Sequence, residues 1–270
     1  MVYNLRYMLH NLDSDSSKII EAVRSTGVVV TEAMRLYVDY IVSNMKAIGT
    51  WDLCNAVYGF VGGTADSHKF NWKNPIDTDG AYRLVFSGGG THTSFGYKGN
   101  GSNAFANTFL ASNLLSVGNN SMSYYSTENT ASSSGAVEMG ALIGGIGDIR
   151  LSINANGITR YLSTNSTIID GINCTLYGGI KGYTIGNISS NNITIYKNGV
   201  NLPVQSTLNS SVGGLTSMTI YINGANFNGT LLSPTHRTSG FASIGGSFTD
   251  IQAQQQSQII TNAQLILNRA

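Results

Sequence analysis

The chain has 270 residues, 41% of them apolar, enough for one large domain or one domain with a small appendage. Its formal net charge is +1 and only 11% of residues are charged, against about 25% in an ordinary soluble protein. No basic cluster is present to neutralise phosphates, which excludes nucleic-acid binding. No run approaches the ~18 apolar residues of a membrane span, and the N-terminus lacks an apolar core of signal-peptide length.

Residues 1–48 read as a helical segment, distinct in pattern from the remainder. In SDSSKIIEAVRSTG a Ser/Asp cluster caps the helix start and Gly27 ends it; in TEAMRLYVDYIVSNMKAIG, Thr31 is the cap and Gly49 the stop. Met34, Val38, Ile41, Met45 and Ile48 advance by four, three, four and three, a heptad seam about two heptads long. Such a seam serves either self-association, as a dimer or trimer, or packing on its own domain.

From Trp51 the pattern changes to strands. RLVF, IRLSI, NNITIY and SMTIYI alternate apolar with polar side chains, the period of a half-buried strand. Asn156-Gly157, Asn198-Gly199 and Asn223-Gly224 follow such runs and read as hairpin tips. The end returns to helix, with Thr249 as cap and Ile259, Ile260, Ala263, Ile266 and Leu267 on one face. The expected fold class is mainly β, an antiparallel sandwich or jelly roll over residues 49–270, with an N-terminal helical segment and a C-terminal helix.

Chemistry-bearing residues concentrate in FVGGTADSHKFNWKNPIDTDGAYRLVFSGGGTHTSFGYKGNG, residues 60–101. Asp77 and Asp79 resemble the start of a calcium loop, but AYRLVF follows where further oxygen ligands belong, so a solvated turn is the alternative. His68, His92 and His236 have no partners at zinc-ligand spacing. Tyr82, His92, Tyr97 and Asn100 cluster as candidate ligand-binding residues, with core or turn roles as the alternative for each; Trp51 and Trp72 are expected to be buried. No G-x-S-x-G, P-loop or dinucleotide fingerprint occurs, and the GGT and SGGGT groups read as turns and sheet edges. Glycoside cleavage needs two carboxylates about 5–10 Å apart. Beyond Gly80 the acidic residues are Glu128, Glu138, Asp148, Asp170 and Asp250, with no E-x-D-x-x-E pattern, and no catalytic residue is assigned. Cys54 and Cys174 read as free buried thiols, and the sequons at Asn165, Asn173, Asn192 and Asn228 as unglycosylated.

W-x(6)-Y-x-F-V-G-G-T-A-x-x-H-K-F-N (Trp51–Asn71), DTDGAYRLVFSGGGTHTSFGYKGNG, IKGYTIGNISSNNITIYKNGVNL and HRTSGFASIGGSFTDIQAQQQSQIITNAQLILNR follow one another in order. Together they resemble a concanavalin A-like (laminin G-like) jelly-roll family of tailed-bacteriophage virion proteins, as in head or tail fibre and appendage proteins of phages of gut bacteria. Gly245-Gly246-Ser247 departs from the Asp that members often carry there, which weakens the case for a metal.

The resemblance implies a non-enzymatic structural component at the virion surface. Residues 1–48 would attach it to other virion proteins and oligomerise it, and the jelly roll at 49–270 would bind host surface polysaccharide. A polysaccharide-degrading appendage and a purely architectural decoration are the alternatives. No cofactor is expected beyond the calcium considered at Asp77 and Asp79.

Overall fold

A computed structural model describes residues 12–130, 135–144, 147–155, 158–163, 172–173, 179–190, 192–202 and 214–270. Asn156-Gly157, Asn165, Asp170 and Cys174 lie outside the described residues. The three long helices form where their caps predict. In α1 (Ser14–Ser25), Asp13 accepts from the Asp15 amide. In α2 (Glu32–Ala47), Thr31 accepts from Met34, and in α4 (Asp250–Ile266) Thr249 accepts from Gln252. The short α3 (Ala65–His68) is capped by Thr64.

Two sheets make a β-sandwich. The first runs β13 (Val200–Leu202), β12 (Asn192–Lys197), β11 (Gly182–Ser189), β6 (Asn120–Ser126), β17 (Thr238–Gly245), β4 (Gly96–Lys98), β3 (Thr91–Thr93), with β1 (Cys54–Tyr58) also paired to β17. The second runs β10 (Ile172–Asn173), β9 (Ile158–Ser163), β8 (Ile149–Ala155), β7 (Met139–Leu142), β14 (Thr219–Ile222), β5 (Phe105–Ala111), β2 (Val85–Ser87). At its side, β15 (Ala225–Phe227) lies parallel to β7 and pairs with β16 (Thr230–Leu232).

Between the sheets sits one apolar core, with Tyr58, Met122, Tyr124, Ile193 and Ile244 from the first sheet meeting Leu110, Met139, Leu151, Tyr161 and Ile222 from the second. A second core covers the other face of the first sheet. There Val57, Tyr125, Tyr183, Ile185 and Phe241 pack on Ile19, Tyr37, Ile41, Met45 and Ile260 of the helices. The first sheet is therefore buried on both faces, and β6, β11 and β17 are buried almost end to end rather than alternating. Their small residues make this possible. A Cβ on Gly186 would stand 2.2 Å from the Tyr161 ring, whose hydroxyl is held by Asn120. The Tyr183 hydroxyl donates to Ser123 (2.7 Å), which shares a 2.6 Å hydrogen bond with Ser243.

This layer corrects two expectations. Val38, Ile41 and Met45 of the heptad seam are at most 1% exposed, and Ile48 packs at the edge of the same core, so the seam is used within the chain instead of between copies. Met34 is half-buried near the helix start. Residues 14–48 likewise form part of the sandwich's outer layer, not a segment standing apart from residues 49–270. The physical reason is that both faces of the first sheet are apolar, and the seam is what covers the outer one.

Asn198-Gly199 forms the predicted tip between β12 and β13, with φ of 49° and 84°. Asn223-Gly224 does not join paired strands. The chain reverses there along β7, leaving β14 antiparallel and β15 parallel to it. Asn223 is fully buried, accepts from the Tyr124 hydroxyl (2.8 Å) and donates to the Arg237 carbonyl (3.2 Å).

Candidate functional site

Of the four candidate residues, the structure stacks His92 and Tyr97 against each other. The β3–β4 pairing sets His92 opposite Tyr97, their rings stacked at 4.9 Å, and Phe86 of the facing sheet closes on both at 4.4 and 4.7 Å. His68, far off in sequence, completes the cluster with Nδ1 3.0 Å from Nδ1 of His92. Each of these histidines is thus the other's partner, which spacing along the chain does not reveal. The Gly63 amide donates to His68 Nε2 (3.1 Å), so His68 carries its proton on Nδ1 and donates it to His92. Burial, reinforced by His92 and Arg269, holds the His68 imidazole well below its usual range, and burial lowers His92 too. The pair is neutral and closes an edge of the sandwich. Tyr97 is fully buried, which removes it from any ligand-binding role.

Tyr82 packs at the margin of the inter-sheet core, and its carbonyl accepts from Tyr58 (2.6 Å). Asn100 organises its own loop. Its side-chain oxygen accepts from the amides of Ser102, Asn103 and Ala104, and its amide group donates to the Gly88 carbonyl (2.8 Å).

The Asp77 and Asp79 carboxylates face cations of the chain itself. Lys69 and Arg83 stand 2.7 Å from Asp77, and Arg83 is 2.8 Å from Asp79. Lys69 and Arg83 hold the Asp77 carboxyl below its ordinary range. The Asp77 oxygens thus hold two cations of the chain, and Asp79 shares one of them. Among the described residues no three His, Cys, Asp or Glu are grouped to hold a metal. Asp66, Lys69 and Asp77 line a cavity of about 280 Å³ against the end of α1.

The carboxylates considered for glycoside cleavage are also committed. Glu138 is fully buried and paired with the equally buried Arg237. Glu128 binds Lys98 (3.0 Å) and the Thr238 hydroxyl (2.8 Å).

A different site emerges where β11, β12 and the start of α4 converge. Antiparallel pairing sets Asn187 opposite Thr194 and Ser189 opposite Asn192. Strand alternation points these four toward the helical layer, on the face that carries Tyr183, Ile185 and Tyr196. Asn187 both accepts from the Phe248 amide (2.8 Å) and donates to its carbonyl (3.1 Å), which fixes the entry into α4. Thr249 and Asp250 follow directly, and with Ser190, Phe248 and the strand side chains they line an open cavity of about 270 Å³. Asp250 accepts a hydrogen bond from the Tyr196 hydroxyl. Burial, together with Asp250, pushes Tyr196 up to about 12, so it remains a donor at neutral pH. Ser190, Asn192, Thr249 and Asp250 are exposed at the mouth, while Asn187 is buried at its base. Hydroxyl, amide and carboxylate groups side by side are the groups that recognise polyols. Sequence reading assigned the polar positions of NNITIY to solvent, because nothing in the strand itself announces a helix above one end.

No protein-family model matches the sequence, and no curated protein does. In structure the chain is similar to a mutant of Trypanosoma rangeli sialidase displaying trans-sialidase activity. The TM-score is 0.52 at 12% identity, over 85% of this chain and 39% of that one. It is also similar to domain 4 of AbnA, a GH43 extracellular arabinanase from Geobacillus stearothermophilus, in complex with arabinotriose. There the TM-score is 0.50 at 16% identity, over 76% of this chain and 98% of that one. The chain thus spans about two-fifths of the sialidase's length and nearly all of the arabinanase domain. At these identities the likeness establishes the β-sandwich fold.

Proposed function

We propose that the chain is a non-enzymatic carbohydrate-binding sandwich, and that the cavity between β11, β12 and α4 is its ligand site. The observation that carries this reading is the lining of that cavity: the hydroxyls, amides and one carboxylate of Asn187, Ser189, Ser190, Asn192, Thr194, Thr249 and Asp250. The fold adds support, because a neighbour of nearly the same extent was solved with arabinotriose. The commitment of Glu128 and Glu138 to ion pairs supports binding over hydrolysis. The sequence resemblance supports a place on a phage virion, where such a module would hold host surface polysaccharide.

Isotope-labelled protein titrated with arabinotriose and other neutral oligosaccharides tests the site. Saturable shifts at Asn187, Ser189 and Thr194, lost in Asn192→Ala/Thr194→Ala, are expected. Shifts confined to other faces, or none at millimolar sugar, would sink the proposal. Gold-labelled antibody against the chain, applied to purified virions, tests the location; virions left undecorated by it would remove the phage assignment.

A further inference from the structure

We infer that the cavity selects uncharged sugars and rejects acidic ones, with Asp250 as the discriminating residue. This rests on the carbohydrate-binding reading above and adds the class of ligand. Among the described residues, none that lines the cavity is Lys, Arg or His. A sugar carboxylate would therefore meet no cation in that lining, and the charged group it would meet there is Asp250. The one basic residue of β12, Lys197, is buried and donates instead to the Ile180 carbonyl (2.9 Å).

A helix N-terminus ordinarily attracts anions through its free amides. Here the chain's own groups offset that attraction. The Gln252 amide donates to the Thr249 hydroxyl (3.2 Å), the Gln252 side chain accepts from the Thr249 amide (3.0 Å), and Asp250 itself stands in the first turn. What remains for a ligand is acceptor capacity on Asp250 and mixed donor–acceptor groups on Ser189, Ser190, Asn192 and Thr194. That set pairs with hydroxyls, which both give and accept hydrogen bonds, and offers a carboxylate only neutral donors beside the negative charge of Asp250. A volume of about 270 Å³ lies just below the roughly 300–1,000 Å³ of drug-sized ligand pockets. It suits one ring of a longer chain, the remainder extending past the exposed mouth.

The test compares matched pairs by calorimetric titration at pH 7: lactose with sialyllactose, and galactotriose with trigalacturonate. The neutral member of a pair should bind at least about tenfold more tightly, which is about 1.4 kcal/mol. Asp250→Asn keeps an acceptor for Tyr196 and should bring the ratio of neutral to acidic affinity close to one, whatever it does to the absolute affinities. If the acidic members bind equally or better, or if Asp250→Asn leaves the ratio unchanged, the selectivity inference falls and the binding function stands. If neither class binds at millimolar concentration, both fall together.

Discussion

Glu138→Gln should cost about 3–5 kcal/mol of stability, the usual result of breaking a buried ion pair from one side. Glu138 and Arg237 are both 0% exposed. At about 3 Å and an effective dielectric of ~20, their attraction is about 5 kcal/mol. Glutamine keeps an acceptor for the Ile153 amide that Glu138 now holds, but it leaves the buried guanidinium charge without its carboxylate, with the Thr130 carbonyl still accepting from it. At about 2–4 °C per kcal/mol for a chain of this size, the melting temperature should fall by roughly 6–20 °C. Urea midpoints and calorimetry at pH 7 read the effect. The double variant Glu138→Met/Arg237→Met should recover most of the loss, because an apolar pair needs no solvation. A single variant within about 1 kcal/mol of the parent, or a double variant as unstable as the single, would refute the argument. The same geometry means that loss of any activity in Glu138→Gln would report unfolding and not chemistry.

Other expectations follow from the same structure. Ile41→Ala should destabilise by about 2–5 kcal/mol without changing the sedimentation coefficient; a shift from dimer or trimer to monomer would restore the oligomerisation role of the seam. Acid should weaken the fold through His68. Its folded pKa lies below its unfolded value, so stability is full above about pH 6.5 and declines below it by up to about 1.4 kcal/mol per pH unit, continuing toward the depressed folded value. His68→Gln should flatten that slope between pH 7.5 and 5.5 in urea titrations, and an unchanged slope would contradict the assignment. Arg269→Met should speed hydrogen exchange around Phe60 and Ser94. Its guanidinium serves the carbonyls of Gly59, Phe60, Ser94 and Gly240; Gly59 and Gly240 keep the Tyr37 hydroxyl, while the buried Phe60 carbonyl loses its donor, at about 1–3 kcal/mol. Gly186→Ala should destabilise by about 1–3 kcal/mol through overpacking against Tyr161, read as a lower urea midpoint; a neutral result would mean that Tyr161 moves freely.

Local chemistry determined a good deal by itself. Thr31 and Thr249 cap helices because a side-chain oxygen there reaches an amide three residues on, and Asn198-Gly199 turns because both residues tolerate positive φ. The mainly-β sandwich with helices at both ends follows from such signals repeated along the chain. Tertiary structure decided the rest. The seam at Val38, Ile41 and Met45 is equally good for a partner helix or for a sheet, and only the apolar outer face of the first sheet chooses between them. Asp77 and Asp79 read as cation ligands in the sequence, and it is the fold that brings Lys69 and Arg83 against them. His68 meets His92, 24 positions further along the chain. The proposed sugar site is the extreme case. Asn187, Thr194 and Asp250 lie on three elements whose convergence depends on long-range packing, and no periodicity in one segment encodes what another will place above it.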